Sequence, residues 1–349
     1  MKKRILFVLL CFFLSSCTFV VRMPFDPPKE KKPHLYRGVY HVHSDFSHDS
    51  KASLNYISKT AKKAGLDFVV LTDHNNDEAK KHLKLPENDE PLLIVGTEIS
   101  TWYDGHLVVL GASDPPFSLE HTSKIVDLAH QQGGYVIPAH PHSKRKPWTN
   151  WEIPFDGIEI FSFSDFIYER KVLDLVFKVT FFPASSFLKS MIAVNPKSLE
   201  LWDHYLSTGK RLPGFGSVDA HLKYALKNFP IDNYLMAFQA VTMYVTAEAK
   251  TPEKIIESLM KGKSFIAFEV FGHAHEFSFS VSENNELNVR SPQPAHIKLI
   301  HNGKVVAEER GNSLIYQPLE NGYYRSEVYL DDRLWIISNP IYVEEKPVA

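Results

Sequence analysis

Cysteine is nearly absent from this sequence. Of its 349 residues only two are cysteine, and both, Cys11 and Cys17, lie close to the N-terminus. Beyond residue 17 the chain has no thiol, which excludes disulfide bonds, thiolate ligands to metals and a cysteine nucleophile from that part of the protein. A metal bound there must be held by imidazole and carboxylate groups, which suit zinc, iron or manganese.

Long runs of one charge sign and long apolar runs are also missing. The formal net charge is −2 and no extended basic stretch occurs. The sequence therefore lacks the electrostatic footprint of a nucleic-acid-binding protein, and we expect no nucleic-acid partner. The apolar run from Ile5 to Leu14 is too short to span a bilayer as a helix.

The first 17 residues are typical of a secretory signal. A basic start is followed by the apolar run and then by Leu14-Ser15-Ser16-Cys17. That ending resembles the bacterial lipobox, which implies lipidation of Cys17; the alternative is an ordinary cleaved signal with an incidental cysteine. Residues 18–35 mix Pro, Lys, Glu and Asp without apolar periodicity and are expected to form a tether. Together these features predict a lipid-anchored protein of the bacterial cell envelope, and Thr18 favours the outer membrane by resemblance.

The pattern over residues 36–270 alternates short apolar strands with amphipathic helices. Alternation of this length predicts an α/β fold with a parallel barrel. Residues 164–209 interrupt the rhythm with many aromatic side chains, as either an extra helical layer or a lid over the barrel mouth. Residues 271–346 contain alternating strands and Asn-Gly turn signals, which predict a small C-terminal β-sandwich.

Histidine and carboxylate residues recur at the ends of the predicted strands. His41-Val42-His43 alone is a weak signal, because two alternating histidines on a strand are as often a surface pair as a metal site. Repetition strengthens it, since the carboxyl ends of barrel strands converge on one mouth. The further candidates at strand ends are Asp73, His74, Glu98, His106, His140, Asp219 and His221.

These motifs resemble those of the polymerase and histidinol phosphatase (PHP) superfamily. The motifs that carry the resemblance, in order, are His41-Val42-His43, Leu71-Thr72-Asp73-His74, Gly96-Thr97-Glu98, Ala139-His140-Pro141 and Val218-Asp219-Ala220-His221. The resemblance implies a distorted seven-stranded (β/α) barrel that holds two or three divalent ions such as Zn, Mn or Fe. It implies that Glu98 bridges two ions, and that the other ligands are His41, His43, His74, His106, His140, Asp219 and His221.

One further ligand is left open between His48 and Asp49. The family usually has Ser-Asp-Gly near this position, whereas this chain has Ser47-His48-Asp49, and we favour His48. Asp73 is expected to orient an imidazole or to accept a proton, so that Asp73 and His221 are the candidate catalytic residues. Candidate substrate contacts are His142, Lys144 and Arg145, although the two basic residues equally suit a solvated loop.

The sequence therefore predicts a metal-dependent hydrolase in which coordination lowers the pKa of water to produce hydroxide. A phosphate ester is the favoured small-molecule substrate, and a carbamate or another non-phosphate ester is the alternative. A hypothesis of a different class is a surface binding protein that captures a glycan or a partner through Tyr323, Tyr324 and Trp335.

Overall fold

The structure is a computed structural model that describes residues 32–83, 89–117, 121–168, 184–222 and 233–344. The predicted signal, its lipidation site Cys17 and most of the predicted tether lie outside these residues, as does the middle of the predicted insertion 164–209. No helix within the described ranges is long and apolar enough to cross a membrane.

The described residues form helices and strands in alternation, followed by a strand-rich C-terminal part. The helices are α1 Leu54–Ala64, α2 Ala79–His82, α3 Thr122–Gln131, α4 Phe163–Tyr168, α5 Ala184–Met191, α6 Pro196–Ser207, α7 Tyr234–Ala240 and α8 Pro252–Met260. The strands up to residue 267 are β1 Leu35–Val42, β2 Phe68–Leu71, β3 Leu92–Val95, β4 Thr97–Ser100, β5 His106–Leu110, β6 Tyr135–Ala139, β7 Ile158–Ser162, β8 Gly214–Ala220, β9 Thr242–Thr246 and β10 Ser264–Ala267. The later strands are β11 Ser278–Val281, β12 Leu287–His301, β13 Lys304–Tyr316, β14 Gly322–Leu330, β15 Arg333–Ser338 and β16 Ile341–Val343.

Local sequence signals account for the position of α1 between β1 and β2. The Ser53 side chain accepts a hydrogen bond from the Tyr56 N–H at the helix start. Gly65 ends the helix at a φ of 73°, and its N–H donates to the Ala61 carbonyl. The buried face of α1 includes Ile57 and Ala61, which belong to the same apolar core as the strands.

A large sheet with both parallel and antiparallel pairs forms the centre of this mixed α/β protein. β1 pairs in parallel with β2 and β8, β2 pairs in parallel with β3, and β7 pairs in parallel with β8. The first half of β1 instead pairs antiparallel with β9, which pairs antiparallel with β10.

A second sheet departs from the parallel order that the sequence predicted. β4, β5 and β6 form a three-stranded antiparallel sheet. Only residues 101–105 separate β4 from β5, and a connection this short cannot return the chain for a parallel pair. The two sheets meet where β3 continues into β4, since the Gly96 N–H donates to the Leu71 carbonyl and the Glu98 N–H to the Asp73 carbonyl.

The C-terminal strands continue the large sheet. β15 pairs antiparallel with β10, so hydrogen bonds cross the predicted boundary at residue 270. The pairings do not establish a β-sandwich, which stays a prediction together with that boundary. Tyr323, Tyr324 and Trp335 are at most 1% exposed, which removes the support for a binding surface built from these rings.

A buried ion pair fixes α6 against the C-terminal strands. Arg325 on β14 donates from Nε and Nη2 to the two carboxylate oxygens of Asp203 on α6, each at 2.7 Å. Its Nη1 donates to Glu327 at 2.5 Å. The strand-rich part thereby holds α6, whose first turn includes Ser198, a residue that lines a cavity together with His140.

Candidate metal centre

His41 and His43 reach the same buried site through an irregular strand end. β1 ends at Val42, its register with both β2 and β8 shifts there, and His41 has a φ of 69°. Both imidazoles are fully buried, with ring centroids 5.2 Å apart. Regular strand alternation, from which the pair was predicted, is therefore not what brings the two rings together.

Three of the predicted ligands have backbone conformations that L-residues rarely adopt. The φ angles are 69° at His41, 29° at His140 and 42° at Asp219. Such conformations cost on the order of 1–3 kcal/mol each and concentrate at functional sites. Their occurrence at three strand ends indicates that side-chain placement, and not local backbone preference, determines these positions.

The candidate ligand atoms form three overlapping groups, within each of which all atoms lie within 4.8 Å of one another. The groups are His43, Asp49, His74 and His221; His41, His43, Glu98 and Asp219; and His74, Glu98 and His106. Glu98 belongs to two of the groups, which agrees with the bridging position that the sequence resemblance implies.

Glu98 lies at the centre of the cluster and is 1% exposed. Its Oε2 lies 3.2 Å from Nε2 of both His41 and His43 and 3.3 Å from Nδ1 of His74. Its Oε1 lies 2.8 Å from Nδ1 of His106 and 3.0 Å from Nε2 of His140. Burial opposes ionisation of Glu98, but these imidazoles hold its pKa well below the usual value.

The buried nitrogen atoms fit a site for divalent ions. Nε2 of His41, His43 and His221 and Nδ1 of His74 are buried and have no hydrogen-bond partner in the structure. These nitrogens lie close to carboxylate oxygens without forming a well-aligned hydrogen bond, and a shared cation would satisfy both groups. Imidazole nitrogens with carboxylate oxygens are a donor set for zinc, manganese or iron, so the residues present fit such ions.

Asp49, and not His48, joins the cluster. Asp49 Oδ2 lies 3.1 Å from His221 Nε2 and 3.7 Å from His74 Nε2, and these imidazoles hold its pKa below the usual value against the opposing effect of burial. His48 is exposed, and its ring centroid lies 5.0 Å from that of His74. The geometry thus favours the candidate that the sequence argument ranked second.

Asp73 has a different set of contacts from the one expected. Its two carboxylate oxygens accept hydrogen bonds from the Ser44 N–H and the Ser44 hydroxyl, each at 2.5 Å. It belongs to none of the three ligand groups. Asp73 therefore fixes the chain immediately after His43, and these contacts do not place it as an orienting partner of an imidazole or as a proton acceptor.

Glu159 is a buried contact of the cluster that the sequence argument did not identify. Its Oε1 lies 2.7 Å from His41 Nδ1, and its Oε2 accepts the His140 backbone N–H at 2.8 Å. Although burial alone would lower it, Glu159 and Glu98 raise the pKa of His41 well above the usual value. The available signal was a single carboxylate between Ile158 and Ile160 in an otherwise apolar strand.

A second residue near the cluster was also missed. Ser164, at the start of α4, donates a hydrogen bond to Asp219 Oδ2. This contact brings α4 against the end of β8, next to a cavity whose lining includes Asp165.

Of the three predicted substrate contacts, His142 lines the cavity whereas Lys144 and Arg145 do not. His142 is partly buried and lines the cavity beside His140. Lys144 and Arg145 are exposed and are not among its lining residues. Arg211, a further basic residue, pairs with Glu344.

Comparison with known families agrees with the motifs. Residues 40–166 match the family model of the PHP domain. Over these residues the chain is similar to the PHP domain. The match begins in β1 and ends in α4, so it includes the cluster residues from His41 to His140 and stops before Asp219 and His221.

Three proteins that are similar to this chain have low sequence identity to it. The uncharacterized protein MJ1587 of Methanocaldococcus jannaschii is 28% identical over 137 residues, which covers 35% of this chain and 79% of that protein. A two-domain protein of Bacteroides vulgatus that contains a predicted PHP-like metal-dependent phosphoesterase is 14% identical, with a TM-score of 0.45 over 91% of this chain and 100% of the other. PsfC from Pseudomonas syringae is 12% identical, with a TM-score of 0.40 over 68% of this chain and 93% of the other.

Proposed function

We propose that this protein is a metal-dependent phosphoesterase that hydrolyses a small-molecule ester at a multinuclear centre. The observation that carries the proposal is the environment of Glu98, whose carboxylate lies within 3.3 Å of five imidazoles. A buried carboxylate so surrounded fits a ligand of more than one cation. The match of residues 40–166 to the PHP domain model supports the same interpretation.

The two oxygens of Glu98 face different imidazoles, which is the arrangement a bridging ligand needs. Oε2 faces His41, His43 and His74, whereas Oε1 faces His106 and His140. Ions bound on the two sides would lower the pKa of water and polarise the ester bond. The protein's own part is to hold these groups rigidly, with Glu159 and Ser164 fixing His41 and Asp219.

A non-phosphate ester remains a second candidate because of the charge of the neighbouring cavity. Its described lining contains the carboxylates of Asp165 and Glu159 but no lysine or arginine. A phosphate would therefore be recognised through the ions themselves, whereas a carbamate or a carboxylic ester needs less positive charge.

We also propose that seven strands form the distorted barrel. Ladders join β7, β8, β1 and β2, the bridge between His74 and Glu98 leads to β4, and β4, β5 and β6 are paired. Between β6 and β7 the support consists of single hydrogen bonds, from the Asp156 N–H to the Val136 carbonyl and from the His140 N–H to Glu159.

For localisation we propose lipid anchoring at Cys17 in the bacterial cell envelope, on the basis of the Leu-Ser-Ser-Cys sequence. Metabolic labelling with a fatty acid would test it. The label should be present in the native chain and absent from Cys17→Ser.

The activity test compares hydrolysis of an aryl phosphate, an aryl carbamate and an aryl acetate by the purified protein. We expect phosphate hydrolysis that is lost with a chelator and restored by Zn, Mn or Fe salts. Glu98→Gln should lower kcat by about 10²–10³-fold or more, the size of loss seen when one preorganised electrostatic group is removed. Glu320→Gln, a matched change at a side chain that is 74% exposed, should leave it unchanged. Preference for the carbamate or acetate would replace the phosphoesterase proposal.

A further inference from the structure

A cavity lies beside the metal centre and shares His140 with it. Its walls come from the turn after β6, from β7, from α4 and from the start of α6. Its volume is about 80 Å³, and it opens to solvent. His140 separates the two regions: its Nε2 faces Glu98, and its ring also borders the cavity.

Three buried polar atoms on residues that line this cavity have no hydrogen-bond partner among the described residues. They are Nδ1 of His140, Nδ1 of His142 and Oγ of Ser162. His140 itself is only 8% exposed. Because buried polar atoms are nearly always paired, three unpaired ones around one space indicate a site for a polar ligand. They are distinct from the unpaired nitrogens that face the metal cluster.

The hydrogen-bonding capacity of the lining is mixed. If His140 binds an ion through Nε2, the proton of its neutral ring resides on Nδ1, which then donates. Ser162 Oγ both donates and accepts, and the ionised Asp165 carboxylate accepts. A hydroxyl group, which donates and accepts at once, can satisfy this combination, whereas a purely accepting or purely donating group cannot.

The charge of the lining disfavours anionic ligands. Asp165 and Glu159 would repel a second phosphate or a carboxylate, and the described lining itself contains no lysine or arginine. Burial and the nearby Lys197 lower the pKa of His142, but Lys197 is not among the lining residues. A cationic group would lie next to the metal ions and be repelled by them. Ile160 and Phe161 are nearly fully buried and complete a wall suited to carbon atoms. The lining therefore fits a neutral, hydroxyl-bearing carbon skeleton.

We infer that this cavity binds the alcohol half of the ester, and that the substrates are esters of small polyhydroxylated alcohols such as polyols or sugars. The inference rests on the proposed function, because it assigns the ester's phosphate to the ions and its alcohol to the cavity. His140 then serves both halves, one through each ring nitrogen.

The test compares two esters that differ only in hydroxyl groups, glycerol 3-phosphate and n-propyl phosphate, on the metal-loaded protein. We expect kcat/KM to favour glycerol 3-phosphate by about 10-fold or more, since an ester without hydroxyls leaves buried polar atoms unpaired. Ser162→Ala should reduce that ratio several-fold. Ser326→Ala removes another buried, unpaired hydroxyl on β14, outside the cavity lining, and should leave the ratio unchanged.

The outcomes separate this inference from the proposed function. Equal kcat/KM for the two esters, or a ratio that Ser162→Ala does not alter, would overturn the subsite while leaving the phosphoesterase intact. If neither ester is hydrolysed, the proposed function fails, and calorimetric binding of the same two esters decides the subsite. Tighter binding of glycerol 3-phosphate would then support it, and equal or undetectable binding would overturn it.

Discussion

Glu159 Oε1 lies 2.7 Å from Nδ1 of His41, on the side of the imidazole opposite the nitrogen that faces Glu98. The other oxygen of Glu159 accepts the backbone N–H of His140. One buried carboxylate on β7 thus fixes the ring of one candidate ligand and the backbone of another. Carboxylates in this position set the tautomer and the orientation of metal-binding histidines.

Replacement of Glu159 by glutamine should weaken metal binding without removing any proposed ligand. We expect an affinity about 10–100-fold lower, the usual cost of deleting such a partner. Competition against a chromophoric chelator measures it. Glu269→Gln is the matched control, because Glu269 is also buried but pairs with Arg37. Equal affinities in both variants and the native chain would show that Glu159 does not position His41.

Asp49→Asn and His48→Ala should have different effects on metal content. Asp49 Oδ2 lies 3.1 Å from His221 Nε2, whereas His48 is exposed. We expect Asp49→Asn to lower the bound metal per chain and His48→Ala to leave it unchanged, as measured by elemental analysis after gel filtration. The reverse result would restore the ligand that the sequence argument favoured.

The Arg325–Asp203 pair should contribute strongly to stability. Arg325→Met leaves two carboxylates, Asp203 and Glu327, without their buried cation, which costs on the order of 3–5 kcal/mol. Urea unfolding should show this as a lower midpoint. Arg310→Met, at an exposed position on β13, should change the free energy of unfolding by less than about 0.5 kcal/mol. Similar midpoints for the two variants would mean that the pair contributes little.

Asp165 should make the stability of the metal-free protein depend on pH. Burial raises its pKa to about 6, above the ordinary value of 3.8. Between these two values the folded protein holds a proton that the unfolded chain releases, so the free energy of unfolding falls as the pH rises through this window. Asp165→Asn should remove that loss. At pH 7 its free energy of unfolding should exceed that of the native chain by on the order of 1–3 kcal/mol, whereas below pH 4 the two should not differ. If the free energies of unfolding of Asp165→Asn and the native chain differ by the same amount at every pH, this prediction is contradicted.

The strand and helix positions that carry the site were largely predictable. The bounds of Phe68–Leu71 and Leu54–Ala64 follow from local signals, namely their apolar patterns, the Ser53 cap and Gly65. The direction of β5 was not predicted, although the short connection of residues 101–105 was a sufficient clue.

The ligand choices that depend on three-dimensional placement were harder to predict. His48 and Asp49 are adjacent in sequence, and only the path of the loop decides which one faces His221. The φ of 69° at His41 arises from long-range pairing and has no local sequence signal. Glu159 reaches His41 from 118 residues away, a contact that a single sequence does not reveal.

The most direct test of a multinuclear metal centre is the metal content of the protein purified without chelators. Inductively coupled plasma mass spectrometry measures it for the native chain and, in parallel, for Glu98→Gln. We expect more than one Zn, Mn or Fe ion per native chain. We also expect Glu98→Gln to lose more than one ion, because both oxygens of Glu98 face candidate ligands. A native chain that binds no such ion after incubation with each metal, or a variant that retains the full content, would contradict these expectations.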